Sequence, residues 1–364
     1  MLSEAFWKGR RVLVTGHAGF KGSWLCAWLT RLGADVTGVG LRGGDELTLF
    51  EVAGLGEVVR ERPVDVRDAE ALREAVGDAA PEVVFHLAAQ SLVLKGVRDP
   101  LGTFATNVMG TANLLDAVSG IRTARAVLVA TSDKCYRDGD LICDEDGPLG
   151  GSEPYGASKA CAELVADAYR RTRLGPLGVG LATMRAGNVI GGGDAAEDRL
   201  IPDLVRAHVD GRPAILRRPD GIRPWQHVLD ALAGYLMLAE RLWLDPDGFA
   251  GPWNFGPDLR GSTTVRELAT SFAAVLGGPA LEEAPGPSPH EAPALRLSAA
   301  QARRRLGWIP RLSLGETVRW TAQGYARLIE DGGTDWLLQQ IDRYAARLAD
   351  AAPPVSAEAE RAYA

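Results

Sequence analysis

Tyr155 and Lys159 stand four residues apart in Tyr-Gly-Ala-Ser-Lys, a spacing that puts both side chains on one face of a helix. An ammonium beside a phenol lowers the phenol pKa toward neutrality. The phenolate can then take the proton of a hydroxyl while hydride leaves the same carbon, and Lys159 can also bind a ribose. Taken alone, such a pair arises by chance in many helices. A second reactive group, Thr131-Ser132-Asp133-Lys134-Cys135-Tyr136, directly follows an apolar run. It presents a hydroxyl, a carboxylate and an amine at the carboxyl end of a strand, where open α/β sheets place their chemistry. A solvated turn is the alternative for this segment.

Thr15-Gly16-His17-Ala18-Gly19-Phe20-Lys21-Gly22 has G-x-x-G-x-x-G spacing, behind one apolar run and ahead of a helical pattern. Gly16 permits a tight turn, Gly19 lets backbone approach a pyrophosphate, and Gly22 lets the helix pack close to the strand. The helix N-terminus adds unsatisfied N–H groups and the positive end of a dipole. The pattern predicts a dinucleotide site formed by Gly16, His17, Gly19, Phe20 and Lys21. The second strand ends Val39-Gly40-Leu41-Arg42, without the acidic residue that usually holds the 2′-hydroxyl of NAD. Arg42 could face a 2′-phosphate or solvent, so these residues leave NAD and NADP open. Asp65-Val66-Arg67-Asp68 falls where a loop would cap an adenine. Asp65 suits the adenine amino group, and Asp68 suits a helix N-cap.

These groups need a scaffold that brings them to one edge. Residues 11–15, 35–40, 82–88, 126–131 and 178–185 read as strands, and 22–32, 101–118 and 154–172 as helices. Strands alternating with such helices imply right-handed βαβ units and a parallel sheet covered on both faces. The expected class is α/β: a doubly wound parallel sheet of Rossmann type with a smaller, interwoven α/β substrate lobe. Residues 1–186 would form mainly the cofactor lobe and 187–350 mainly the substrate lobe, with segments returning to the first. Residues 351–364, rich in Ala, Pro and Glu, read as a frayed tail. His86, on an apolar strand, reads as structural, with Ala88 and Ala89 beyond it flanking the cofactor.

Composition excludes several classes. The 364 residues carry 40 Lys and Arg against 47 Asp and Glu, an acidic balance that argues against a nucleic-acid partner. The four cysteines lack Cys-x-x-Cys spacing and the five histidines lack ligand spacing, so no metal site is expected. No uninterrupted apolar run reaches membrane-spanning length, and residues 1–11 lack the apolar segment of a signal peptide. A cytoplasmic location with no membrane partner is the expectation.

With these residues in hand, the sequence resembles extended short-chain dehydrogenase/reductases acting on nucleotide sugars, and most of all the CDP-glucose 4,6-dehydratase family. The resemblance runs from about residue 6 to about residue 325. It rests on Phe6-Trp-Lys-Gly-Arg-Arg-Val12, the glycine loop to Leu25, the Thr131–Tyr136 turn and Tyr155–Lys159. It continues through Arg185-Ala-Gly-Asn-Val-Ile-Gly-Gly-Gly-Asp194, Asp198-Arg-Leu-Ile-Pro202, Ile222-Arg-Pro-Trp-Gln-His-Val228, Trp253-Asn-Phe-Gly-Pro257 and Pro289-His-Glu-Ala292. Ser132-Asp133-Lys134 carries Lys where the related dTDP-glucose enzymes carry Glu. Residues 41–50 lack the Pro-rich lead of the family.

The resemblance implies an internal redox cycle on tightly bound NAD, with NADP less favoured. Hydride leaves C4 of the glucose as Tyr155 takes the 4-hydroxyl proton; Ser132 bonds the 4-oxygen. Lys134 removes the C5 proton, Asp133 protonates the leaving 6-hydroxyl, and hydride returns to C6. Lys134 must be neutral to act as a base, and Lys159 with the nicotinamide cation would push it that way. Asn188, Arg199, Leu200 and Arg223 would hold the nucleotide sugar, Arg223 at the pyrophosphate, with Ile201 near the base. Trp225, His227 and Asn107 would support the site, Asn107 through water. Helices 101–118 and 154–172 could pair between subunits as a homodimer or homotetramer. The alternatives are a dehydratase or 4-epimerase for a GDP-, dTDP- or UDP-hexose, and an NAD-binding sensor without catalysis.

Overall fold

Seven short strands, most of them apolar and buried, form one sheet: β1 (Arg11–Thr15), β2 (Asp35–Val39), β3 (Arg60–Arg62), β4 (Val83–His86), β5 (Ala126–Ala130), β6 (Gly180–Ala186) and β7 (Gly251–Phe255). A computed structural model describes residues 2–42, 48–137, 139, 142–257, 263–284, 296–330 and 334–350. The Pro289–Ala292 motif, the tail from 351 and residues 43–47 lie outside the described residues. All seven strands pair in parallel, in the order β7-β6-β5-β4-β1-β2-β3. The order reverses at β1, which lies between β2 and β4, and this reversal opens a crevice at the carboxyl ends of β1 and β4.

Strand alternation sends side chains to both faces. Val12, Val14, Val83 and Phe85 pack with Trp24 and Trp28 of helix α1 (Phe20–Arg31) on one face. Leu13, Val84 and Val127 pack on the other with Leu72 and Val76 of α2 (Ala69–Ala79) and Leu114, Leu115 and Val118 of α3 (Gly110–Ser119). Each such fully buried side chain contributes about 1.5–3 kcal/mol. Helix α4 (Pro154–Tyr169), which carries the Tyr-Lys pair, joins the second face through Ala166.

Four elements depart from the sequence expectation. The helix over 101–118 is broken into Pro100–Phe104, a widened turn Ala105–Met109, and α3. Helix α4 ends at Tyr169 in a second widened turn, Arg170–Leu174. Strand β3 is Arg-Glu-Arg and has no apolar signal, because an edge strand can pair by backbone alone. Strand β7 begins Gly251-Pro252, in a cluster that reads as a turn; proline is tolerated there because β7 lies at the other edge.

The second lobe builds its own core from Leu204 of α5 (Leu200–Val209), Phe272 of α7 (Val265–Leu276), Tyr325 of α8 (Leu314–Glu330), Leu216 and Trp225. Two-stranded pairs, Ala214–Leu216 with Leu281–Glu283 and Gln226–His227 with Val189–Ile190, frame it. The chain weaves between lobes. Helix α6 (Val228–Leu244) and β7 return to the main sheet, and α9 (Asp335–Asp350) packs on α1. No described helix is long and apolar enough to cross a membrane.

Candidate active site

Strand β1 delivers the chain to Gly16, whose φ of +70° closes the turn. A Cβ there would lie 2.6 Å from the Ala88 amide nitrogen, so only a bare backbone fits against the end of β4. A Cβ on Gly22 would fall 2.1 Å from the Gly16 carbonyl oxygen. Gly19 heads α1 without a side-chain cap, which leaves helix N–H groups unsatisfied at the wall of the crevice. This bare, donor-rich cradle fits the pyrophosphate of a dinucleotide.

Gly16, Gly19, Phe20, Lys21, Asp65, Val66, Ala88 and Ala89 all line one cleft of about 850 Å³. His17 does not. Its ring is buried behind the loop, edge-on to Phe50 at 4.9 Å, with Nε2 3.1 Å from Glu61 Oε2. Gly38 makes the room, since a Cβ there would meet the His17 ring at 2.4 Å. His17 therefore gives the loop its backbone, while its ring packs behind the loop against Phe50 and Glu61. Glu61 also accepts from Arg42 Nε at 3.1 Å, so the cation that a 2′-phosphate would need is already paired. Asp65 is held by Arg67, whose Nε lies 2.9 Å from Oδ2, and that bond pulls the carboxyl below its usual range. Asp68 caps α2 by accepting the Ala71 N–H at 3.1 Å.

Ser132, Asp133, Lys134, Tyr155 and Lys159 line the same cleft. The Ser132 hydroxyl donates to Asp133 Oδ1 at 3.0 Å and accepts the Lys134 N–H at 3.2 Å. Asp133 is 3% exposed and its Oδ2 has no protein partner. Burial pushes its carboxyl up, against the opposing charges of Lys134, Arg223 and Lys21. A carboxyl that resists ionisation is one that can serve as a proton donor.

The Tyr155 phenol is not lowered, contrary to the expectation from the four-residue spacing. Burial pushes it up to about 12. Lys159 donates to the Ala130 carbonyl at 3.0 Å and is itself pushed down to about 8, by burial first and by Lys21 second. Burial sets the direction for both groups in the free protein. Lys21 is also lowered to about 8, by burial and then Arg199, with Asp133 and Asp194 opposing. The glycine loop thus places an amine among the reacting groups as well as beside the cofactor cradle.

From the second lobe, Asn188, Arg199, Leu200, Ile201, Arg223 and Trp225 line the cleft. Arg199 bridges the lobes: Nη1 donates to Asp194 Oδ2 at 2.8 Å and Nη2 to Ser91 Oγ at 2.7 Å. Arg223 is 5% exposed, donates to the Ile222 carbonyl at 2.9 Å and acts electrostatically on Asp133. His227 accepts the Leu229 N–H at 3.2 Å and is packed edge-on against Trp24 and Trp320. His86 lies between the Thr15 and Thr111 hydroxyls, at 2.6 and 3.1 Å, and burial pushes it down to about 3.

Asn107 is buried and makes three direct side-chain bonds. Its side chain exchanges two bonds with the Gln90 backbone, at 2.8 and 2.9 Å, and donates to Ser158 Oγ at 2.8 Å. It sits in the widened turn that replaces the middle of the expected helix, so it joins the strand-end loop to α4. Sequence reasoning missed Glu163, a buried carboxylate on α4 that accepts from the Thr183 hydroxyl at 2.7 Å and Arg185 Nη2 at 2.8 Å. Its spacing, four beyond Lys159, was the available signal. Among the described residues no cluster of His, Cys, Asp or Glu could hold a metal.

A parallel sheet reversing at β1, a glycine cradle and a buried Ser-Tyr-Lys set define a Rossmann-type short-chain dehydrogenase/reductase. The chain belongs to the NAD dependent epimerase/dehydratase family, whose model matches residues 12–247. It is 45% identical over 332 residues to a Salmonella typhimurium CDP-glucose 4,6-dehydratase, covering 88% of this chain and 92% of that one. A Neisseria meningitidis dTDP-glucose 4,6-dehydratase is 30% identical over 346 residues, 87% of this chain and 93% of that one. Among solved structures, MoeE5 in complex with UDP-glucuronic acid and NAD superposes with a TM-score of 0.74 at 26% identity, covering 87% and 99% of the two chains.

Proposed function

We propose that this chain catalyses the NAD-dependent, intramolecular-redox dehydration of CDP-D-glucose to CDP-4-keto-6-deoxy-D-glucose, which makes it a hydro-lyase. The observation that carries this reading is Asp133: a buried carboxyl hydrogen-bonded to Ser132 and pushed up by burial, with Lys134 and Tyr155 on the same cleft wall. Exchange of the 4-hydroxyl alone needs no such acid and base. The 45% identical dehydratase supports the same reading.

NAD+, when bound, supplies the acceptor that takes hydride from C4 and returns it to C6, and a positive charge that favours the phenolate. Tyr155 takes the 4-hydroxyl proton, with Lys159 holding the ribose. Ser132, on the cleft wall with Tyr155, donates to the 4-oxygen as a carbonyl forms. The 4-ketone acidifies the C5 proton, which Lys134 removes. Asp133 gives its proton to the 6-hydroxyl, and water leaves; as hydride reaches C6, the Lys134 ammonium returns a proton to C5, which completes the 4-keto-6-deoxy sugar. Arg223 and Asn188 hold the pyrophosphate, with Arg199, Leu200 and Ile201 toward the nucleotide. Gly16, Gly19, Phe20 and Lys21 cradle NAD, Asp65 and Val66 meet the adenine, and Ala88 and Ala89 flank the ring.

The enzyme works in the cytoplasm as a homodimer or homotetramer. Leu101 at 81% exposure, Met109 and Leu164 lie on the two helical segments expected to meet a second subunit. The test is incubation of the purified protein with CDP-, dTDP-, UDP- and GDP-hexoses, with and without added NAD+, reading the 4-keto-6-deoxy product. CDP-glucose should be converted far faster than the others; preference for another nucleotide, or an epimer as product, overturns the reading.

A further inference from the structure

Glu163 is 5% exposed and lies on α4 one turn beyond Lys159 and two beyond Tyr155. Its carboxylate accepts from the hydroxyls of Thr131 and Thr183 and from Arg185 Nη2. Arg185, 3% exposed, donates through Nη1 to the Tyr136 hydroxyl at 2.8 Å and to the Glu145 carbonyl at 3.0 Å. The Tyr136 hydroxyl in turn donates to Asn254 Oδ1 at 2.8 Å. Thr131 and Tyr136 are the two ends of the turn that presents Ser132, Asp133 and Lys134. One carboxylate and its arginine therefore tie both ends of that turn to the helix that carries Tyr155 and Lys159. Neither Glu163 nor Arg185 reaches the cleft. A buried ion pair of this kind is a weak source of net stability, because desolvation offsets its attraction.

The charges around Lys159 add a second constraint. Lys21 from α1 pushes the ammonium toward neutrality, and Glu163 opposes it. His86 on β4 is held neutral by burial, and the Cys135 thiol on the turn is pushed well above its usual range, so neither supplies a charge. Tyr155, on the same helix face, is a neutral phenol in the free protein. Among the groups acting on Lys159, Glu163 supplies the negative charge, with Arg185 behind it.

We propose that Glu163 is a positioning residue for the reaction: through Thr131 at one end and Arg185 and Tyr136 at the other, it keeps the Ser132–Lys134 turn in register with Tyr155 and Lys159 on the helix. This rests on the dehydratase reading for its turnover assay but not for its binding assay. Glu163→Gln keeps the shape and removes the charge, and should move the basic limb of the kcat profile down by about one pH unit. Glu163→Asp keeps the charge and should leave the limb in place. Thr131→Val leaves the carboxylate paired with Arg185 and should lower kcat about tenfold without moving the limb. The pH dependence of NAD+ binding, followed by tryptophan fluorescence, should shift with Glu163→Gln by the same amount and needs no turnover. An enzyme inactive on CDP-glucose would thus refute the substrate reading and leave the Glu163 result standing. If Glu163→Gln does not fold, Glu163→Asp and Thr131→Val still decide. The proposal fails if the limb and the binding profile stay put in Glu163→Gln, if Glu163→Asp moves them as far, or if Thr131→Val turns over like wild type.

Discussion

Replacing Asp133 by asparagine separates the two halves of the proposed reaction. Asp133 Oδ1 accepts the Ser132 hydroxyl at 3.0 Å, and an amide oxygen in the same place accepts it equally. The other carboxyl oxygen is buried without a protein partner, so the new NH2 group is left unsatisfied at about 1–3 kcal/mol. That penalty is offset by removing a carboxyl that burial already disfavours. The fold should therefore persist, and the loss should be chemical. Positioned proton donors contribute about 10²- to 10⁴-fold, or about 3–5 kcal/mol of barrier. The loss should fall on expulsion of water from C6 and spare oxidation at C4, which uses Tyr155 and Lys159. Rapid mixing of NAD-loaded Asp133→Asn with CDP-glucose should show reduced nicotinamide accumulating by absorbance while the 4-keto-6-deoxy product forms slowly. Dehydration at the wild-type rate, or an equal loss of both steps, would refute the assignment of Asp133 as the acid.

Lys134→Met should abolish exchange of the C5 hydrogen with solvent deuterium, read by mass spectrometry of the product; undiminished exchange removes Lys134 as the base. Gly22→Ala should destabilise by about 1–3 kcal/mol in denaturant titrations and weaken NAD+ binding, because its Cβ would lie 2.1 Å from a backbone oxygen. Gly77→Ala, the same change at a helical position that meets nothing within 4 Å, should instead stabilise by about 0.5–1 kcal/mol; matching signs for the two would contradict the packing argument. Burial raises Glu240 from 4.5 to about 7 and Asp230 from 3.8 to about 6. The folded state then binds more protons than the unfolded chain between those values, so stability should fall as pH rises from about 4 to about 7, by roughly 3 kcal/mol per group. Glu240→Gln should flatten its share of that slope, and an unchanged slope would show that Glu240 does not titrate in this range.

The local patterns were legible because they depend on neighbours in the chain. The β-branched and apolar runs Val12–Val14 and Ala126–Ala130 marked β1 and β5, and Gly16 and Gly22 marked the loop because only glycine permits that turn and that approach. The widened turn at Asn107 was invisible, since its helical pattern continues unbroken while its amide answers to Gln90 and Ser158, remote in sequence. Strand β3 was invisible for a different reason: an edge strand of Arg-Glu-Arg carries no periodic apolar signal.

What the amino-acid order alone determined was the class of fold and the types of reacting group: a glycine cradle, a Tyr-Lys pair and a Ser-Asp-Lys turn at strand ends. Those follow from backbone sterics and periodicity. Only the tertiary structure decided how the groups are charged and held. Burial, a property of the whole packed chain, raises Tyr155 and Asp133 and lowers Lys21 and Lys159, reversing the sign expected for Tyr155 from its lysine neighbour. Packing likewise turned His17 away from the cleft toward Glu61, and set Glu163, Arg185 and Tyr136 behind the turn as its frame. Spacing says which residues share a face, but desolvation and long-range pairing depend on everything that surrounds that face.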